Sequence, residues 1–371
     1  MIIIISIIII SILHYIYTRI HTRYRIWANI RPVYIDSSKK HGVITNKDNF
    51  KDYVLPRYCT KKIFTQSELP ILIDFINTHF EGEESTMTVS YVTWHLDNMI
   101  ENKLMFGLEY DNILCGVIAG NVIYINVDNK IYKSLYIDYL CITKTHRSKK
   151  YASVLFSFIL NAGKQNNCDV FLFKKDTTQY YFNHIYSSYY YILKTHKYTS
   201  RPIQTNNHTI DIKELDKELK NDDQLILELY NMYHTYSGKY RIYEHIYLKH
   251  FTSKLLDKTV LVLVFYINKK ISGYVVLTRR YYTHFKDTAY EIYHFIILND
   301  SIDIQILTSL INDELMKYMK SNNIKYVISS LNPSTAHIIK YFNMKKCTRV
   351  YYYLYNYNIP GIKPSDILIL Y

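Results

Sequence analysis

Residues 136–160 read YIDYLCITKTHRSKKYASVLFSFIL: an alternating strand, a basic turn and a helical stripe. Arg147, Ser148, Lys149 and Lys150 fall at the turn and the head of the helix. Backbone N–H groups and the dipole at a helix N-terminus favour an anion, phosphate above all. The strand before the turn offers backbone N–H donors to a carbonyl held beside a phosphate-bearing ligand. A solvated charge run at the head of an ordinary helix is the plainer reading, and the pattern alone leaves both open.

Other chemistries lack their motifs. The sequence has no H-E-x-x-H, no G-x-x-x-x-G-K-[ST], no G-x-G-x-x-G and no G-x-S-x-G, which removes the main support for metalloprotease, P-loop, dinucleotide and hydrolase readings. Most of the 15 histidines stand alone, and no metal site is expected. Cys59, Cys115, Cys141, Cys168 and Cys347 are odd in number, far apart and without a C-x-x-C pair. A disulfide framework is not expected, and a reducing compartment fits better. Asn207-His208-Thr209 forms a glycosylation sequon, silent in a cytosolic body.

The chain has 371 residues, 49% of them apolar, enough for two compact domains or one large one. Lys+Arg 45 against Asp+Glu 32 gives +13, which suits an anionic partner. Only 9 glycines and 7 prolines exclude collagen-like and Gly-loop architectures. The Ile, Asn, Lys and Tyr richness fits an AT-rich coding bias, which accounts for part of the 41 tyrosines and part of the basic charge. Nucleic-acid binding would rest on charge and tyrosine alone, with no binding motif, and is not expected.

Around the basic turn the elements recur in order. Ser67–Phe80 has helical spacing behind a Ser cap, and strands follow at 104–110, 113–125 and 134–142. A helix over Ser148–Asn166 and a strand over 169–173 complete the first set. Helical stretches near Ile212–Tyr236 and Tyr243–Lys254 open a second. Strands follow at 260–267, 271–277 and 289–297, then a helix over Ile304–Ser321 and strands at 324–330 and 349–357. The polar stretch Thr199–His208 lies between the sets. The expected fold class is α/β (α+β), two pseudo-symmetric halves with mixed sheets.

Residues 1–17 read MIIIISIIIISILHYIY. A membrane span needs ~20 apolar residues, which this run reaches only if Thr18–Ile20 join it. No charged n-region precedes it and no small-x-small site follows, so an uncleaved anchor fits better than a signal peptide. A buried or interfacial helix is the further alternative. Arg19, Arg23, Arg25 and Arg31 follow it, which would keep the body cytosolic.

Segment 136–153 resembles a signature of the N-myristoyltransferases, in which an Asn-Phe-Leu-Cys-Val strand end leads into Leu-Arg-Ser-Lys-Arg and a helix. That family is built from two acetyltransferase-like (GNAT) halves. Further matches follow in order. Tyr24-Arg25-Ile26-Trp27 with Arg31-Pro32-Val33 is similar to Tyr-Lys-Phe-Trp…Gln-Pro-Val, and Gly42-Val43 and Asp48-Asn49…Tyr53-Val54-Leu55-Pro56 to the segment after it. Glu81, Glu83 and Glu84 before Trp94-His95-Leu96 resemble the family's acidic loop and Trp-Ala-Leu helix. Tyr352–Tyr357 resembles Tyr-Tyr-Leu-Tyr-Asn-Trp near the C-terminus, before the apolar end Ile367–Tyr371.

The resemblance implies a glycylpeptide N-tetradecanoyltransferase of lipoprotein biosynthesis, moving a myristoyl group from CoA to the N-terminal glycine amine of proteins. Myristoyl-CoA is a co-substrate and no cofactor is permanently bound. The Tyr139 and Leu140 N–H groups form the oxyanion hole, Asp138 replaces an Asn that holds the amine, and the Tyr371 carboxylate is the base. Tyr24, Arg25, Ile26, Trp27, Tyr139, Leu140, Cys141, Ile142, Arg147, Ser148, Lys149, Lys150, Tyr151, Ala152 and Ser153 bind CoA. Glu81, Glu83, Glu84 and Tyr180 meet the peptide. The parts are an anchor over 1–20, an acyl-CoA half over 21–200 and a peptide half over 201–371, in a membrane-anchored monomer with its body cytosolic. Val154, Leu155 and Phe158 read either as acyl-pocket wall or as core. The chain departs from the family mainly on the peptide side. Gln179–Asn183 replaces Arg-Tyr-Trp-His-Arg, Thr-Ala-Gly is lost around Leu172–Thr178, and Gly-Asp-Gly is lost near Lys346–Thr348. A catalytically weakened acyl-CoA-binding membrane protein and an acyltransferase of changed specificity are the alternatives.

Overall fold

The computed structural model describes residues 11–12, 42–43, 54–80, 85–96, 104–175, 184–198, 209–215, 222–282, 287–298, 304–359 and 362–368. Tyr24–Trp27, Glu81, Glu83, Glu84, Tyr180, Tyr371 and all of 1–20 but Ser11 and Ile12 lie outside them. Among the described residues no helix is long and apolar enough to cross a membrane.

In chain order the first half holds β1 (Gly42–Val43), β2 (Cys59–Ile63), α1 (Leu69–His79), β3 (Ser85–Thr86), α2 (Val89–His95) and β4 (Leu104–Tyr110). It continues with β5 (Ile113–Val127), β6 (Lys130–Ile142), α3 (Tyr151–Gln165), β7 (Val170–Lys175) and β8 (Tyr186–Lys194). The second half holds β9 (Ile210–Glu214), α4 (Asp223–Ser237), β10 (Ile242–Glu244), α5 (Leu248–Leu256), β11 (Val260–Ile267) and β12 (Lys270–Tyr282). After it come β13 (Asp287–Ile297), α6 (Ile304–Ser321), β14 (Tyr326–Ser330), α7 (Ala336–Tyr341), β15 (Lys345–Tyr355), β16 (Tyr357–Asn358) and β17 (Ile367–Leu368).

Local chemistry explains the punctuation. Asp111-Asn112, Asp128-Asn129 and Asn268-Lys269 carry paired positive φ values at the β4–β5, β5–β6 and β11–β12 turns. These are the two-residue hairpin turns that match strand twist, built here without glycine. The head of α1 is not a simple Ser67 cap: Thr65 and Glu68 form a capping box around a short 3₁₀ turn. Pro70 sits in the first helical turn, where its missing N–H costs nothing. The face Leu69, Leu72, Ile73, Phe75 and Ile76 is buried.

Two expected helices are shorter than their apolar spacing suggests. Ile210–Glu214 forms β9 against β11, and Ile242–Glu244 forms β10 between β5 and β17. A neighbouring strand edge supplies ladder partners there and overrides local helical spacing. Helix α4 begins at Asp223, where Asp222 accepts the Leu225 N–H at 2.9 Å.

The described strands, apart from β1 and β16, which pair with each other, form one mixed fifteen-stranded sheet with the central order β17-β10-β5-β6-β7-β15-β8-β14-β13-β12-β11-β9. In the first half, antiparallel β4–β5–β6 leads through α3 to β7, parallel to β6. In the second, antiparallel β11–β12–β13 leads through α6 to β14, parallel to β13. The α/β fold with its repeated order therefore stands. The halves also exchange strands: β15 pairs with β7, and β8 lies between β15 and β14. One buried apolar cluster draws on both halves, with Leu72, Trp94 and Val117 joined to Tyr233, Phe251 and Val264.

Candidate active site

Strands β6 and β7 pair in parallel from Ser134↔Val170 to Ile137↔Phe173, and the pairing then stops. On its other edge β6 slips against β5 between Ala119↔Asp138 and Val117↔Cys141. Tyr139 and Leu140 therefore stand opposite the single residue Ile118, a β-bulge at the mouth of the fork. Tyr139 has φ of 57°, a conformation that bulges usually assign to glycine and that costs another residue ~1–3 kcal/mol.

Side chains hold that conformation. The buried Tyr139 ring sets its hydroxyl 2.5 Å from His95 Nδ1, at the end of α2. His95 is itself buried, stacked on Tyr91 and edge-on to Tyr136 and Tyr139. Burial pushes its imidazole down to about 3, further than the Asp138 charge lifts it, so the ring is neutral at ordinary pH. The Tyr139 N–H donates to Asp138 Oδ1 at 2.8 Å.

Asp138 and Lys174 occupy the first position past the last β6–β7 pair, with Lys174 Nζ 3.6 Å from Asp138 Oδ2. The Tyr136 hydroxyl donates to the same Oδ2 at 3.0 Å. Burial would raise the Asp138 carboxyl, but the Lys174 ammonium and the N–H and O–H donors outweigh it and hold it below the usual range. Burial would likewise lower Lys174, but the Asp138 charge holds it above its usual range. Tyr91 continues the polar chain into the second half. The Arg280 guanidinium lies 4.3 Å from its ring centre, hydrogen-bonds its hydroxyl and pairs with Glu291 at 2.7 Å.

The basic turn follows β6. Thr143 N–H donates to the Cys115 carbonyl, and a 3₁₀ turn spans Lys144–His146. Ser148 and Lys150 then take φ values of 67° and 64°. Lys150 is the N-cap of α3 and makes no side-chain cap bond. Arg147, Ser148, Lys149 and Lys150 are exposed. The Arg147 guanidinium is turned towards protein carbonyls, donating to Ile142 at 3.2 Å and to His79, at the end of α1, at 3.1 Å. Cys141, Tyr151 and Ser153 are buried, while Ile142 and Ala152 are half-buried. Val154, Leu155 and Phe158 belong to the apolar core that α3 buries against the sheet.

The structure thus brings Asp138, Tyr139 and Leu140 together beside the turn of residues 147–150. His95, Tyr136, Lys174, Tyr91, Arg280 and Glu291 join them without having been singled out in the sequence. One signal was present: the family's Ala and Phe are replaced by His95 and Tyr139, the two residues that bond each other.

The second half repeats the geometry. The β12–β13 register slips between Val276↔His294 and Leu277↔Ile292, so Tyr293 bulges, and the β13–β14 pairing ends at Ile292↔Ser329. A buried ion pair, Lys254 with Glu244 at 3.6 Å, stands there with the Tyr293 hydroxyl 2.9 Å from Lys254 Nζ.

Residues 41–171 match the family model of the myristoyl-CoA:protein N-myristoyltransferase N-terminal domain. No curated protein sequence matches the chain significantly. Among solved structures, Saccharomyces cerevisiae N-myristoyltransferase with bound myristoyl-CoA aligns over 93% of this chain and 96% of its own, at a TM-score of 0.73 and 13% identity. The same yeast enzyme with myristoyl-CoA and inhibitors aligns over 89% and 90%, at 0.70 and 12%. The chain therefore has the fold of the N-myristoyltransferases over nearly all of its length, and residues 41–171, which hold the bulge and the basic turn, match that family in sequence.

Proposed function

We propose that this protein is an N-myristoyltransferase-like acyltransferase that uses myristoyl-CoA as co-substrate and acylates the N-terminal glycine amine of proteins. The observation that carries the reading is the bulge at Tyr139–Leu140, beside the end of the β6–β7 pairing, in a segment that matches the family. The backbone N–H groups of Tyr139 and Leu140 stabilise the negative charge that develops on the thioester oxygen in the transition state. The amine nitrogen bonds to the carbonyl carbon, the C–S bond breaks, and CoA leaves as the thiol.

In this reading the turn at 147–150 and the head of α3 meet the CoA phosphates through backbone N–H groups, Ser148, Lys149 and Lys150, and Arg147 braces the turn. Tyr24–Trp27 complete the CoA side, and Glu81, Glu83, Glu84 and Tyr180 attract the peptide. The amine proton passes to the Tyr371 carboxylate, a group whose basicity rises with apolar burial. Residues 1–20 anchor the chain in the membrane and keep the body cytosolic. The halves 21–200 and 201–371 bind acyl-CoA and peptide in a monomer.

The test is incubation of the purified full chain, in detergent, with labelled myristoyl-CoA and a set of Gly-starting peptides. Transfer that is lost on deleting Leu370 and Tyr371, or on appending residues after Tyr371, supports the reading. Binding of myristoyl-CoA without transfer to any Gly-starting peptide overturns it. For the anchor, release of the full chain into the supernatant by alkaline carbonate counts against a span.

A further inference from the structure

The Tyr139 N–H, one of the two donors of the proposed oxyanion hole, is already occupied, because Asp138 Oδ1 accepts it at 2.8 Å. An oxyanion and a carboxylate repel each other, so the hole cannot act fully while Asp138 holds that donor. The other carboxylate oxygen is tied separately, to the Tyr136 hydroxyl at 3.0 Å and beside Lys174 Nζ at 3.6 Å. Rotation about the Cβ–Cγ bond takes Oδ1 off the Tyr139 N–H and carries Oδ2 with it, so release needs a charge that competes for the carboxylate. A cation arriving at the fork would draw it; neutral water would not.

We infer that Asp138 is a specificity-determining residue that caps the Tyr139 N–H and releases it to the acyl carbonyl only when a substrate ammonium group binds. This rests on the acyl-transfer reading above. Its consequence is a preference for amine over water. In hydrolysis the water oxygen bonds to the carbonyl carbon, the C–S bond breaks, and fatty acid and CoA thiol form with loss of a proton. That route leaves Asp138 in place and the hole half closed. A neutral Asn at 138 caps more weakly, and Ala does not cap at all.

The experiment measures CoA thiol release and peptide acylation by the full chain in detergent. Asp138→Asn and Asp138→Ala are expected to raise peptide-free hydrolysis about tenfold or more, since a single oxyanion donor is worth ~100-fold in turnover. They should also raise the KM for a Gly-starting peptide, a split that a merely structural residue would not give. A wild-type arm does not depend on how the variants fold. A peptide beginning with N,N-dimethylglycine carries the charge but cannot yield an amide, and it should stimulate hydrolysis of myristoyl-CoA, whereas its N-acetylglycine counterpart should not. Wild-type transfer with hydrolysis indifferent to the dimethylglycine peptide overturns the inference and leaves the acyl-transfer reading intact. Absence of any wild-type transfer overturns that reading and the inference with it.

Discussion

At the scale of single residues, the contact between Tyr139 and His95 holds a strained backbone through side chains that replace a family Phe and Ala. Tyr139→Phe keeps both backbone donors but takes away the hydroxyl that bonds the buried His95 Nδ1, at a cost of ~1–3 kcal/mol. The double variant His95→Ala with Tyr139→Phe removes both ends of the bond. Denaturant unfolding of the four proteins should therefore show non-additivity, the double variant losing less than the sum of the singles; strict additivity would contradict the coupling. Two buried histidines, His95 and His294, and the half-buried His337 also set the acid limit. Burial holds His95 down to about 3, His337 to about 4 and His294 well below its ordinary value. Each is lower folded than unfolded, so its contribution is complete above pH ~6.5 and is lost as pH falls towards the folded value. Each can contribute a slope of up to ~1.4 kcal/mol per pH unit. Stability should fall steeply below pH ~6.5, and His337→Leu should make that slope shallower; an unchanged slope would count against the assignment. The motif at 136–153 was legible because its residues are contiguous. Lys174 and Arg280 were not, since no spacing rule connects them to Asp138 or Tyr91 before the strands are paired.

At the scale of elements, the β5–β6–α3–β7 unit places the site, and its geometry depends on close backbone approach. A Cβ on Gly120 would lie 2.3 Å from the Tyr136 carbonyl oxygen, two residues before Asp138. A backbone atom cannot move aside as a side-chain end can, so Gly120→Ala must shift β5 against β6 and disturb the bulge. The expected cost is ~1–3 kcal/mol, read as a lower unfolding midpoint together with weaker myristoyl-CoA binding. Gly107→Ala is the comparison, because its Cβ would come closest to Leu114 Cδ1, at 2.8 Å, a side-chain end that can rotate away. Equal effects from the two would argue against a backbone clash. The long strands and α3 followed from alternation and helical spacing. The bulge did not, because a register slip is a property of two strands and neither reveals it alone. The same limit hid β9 and β10, whose few residues become strands only where β11 and β5 offer an edge.

At the scale of the whole molecule, duplication and exchange act together. Each half builds a fork after its third long strand, and each fork ends beside a bulge: Tyr139–Leu140 in one, Tyr293 in the other. The sequence shows the repeated order without similarity between the copies, since pattern and topology persist where side chains diverge. It does not show that β8 crosses to pair with β14 and β15, or that β15 pairs with β7. A boundary near residue 200 would therefore divide the chain but not the sheet. Residues 1–200 produced alone leave β7 and β8 without β15 and β14, and residues 201–371 leave β14 and β15 without β8. The shared apolar cluster is cut as well. Exposed strand edges and apolar surface favour aggregation over folding. Neither fragment should give a cooperative unfolding transition by itself, whereas the two co-expressed should associate, co-purify and recover one. Two independently cooperative fragments that fail to associate would contradict the exchange, because β8 and β15 would then have to be satisfied within their own halves.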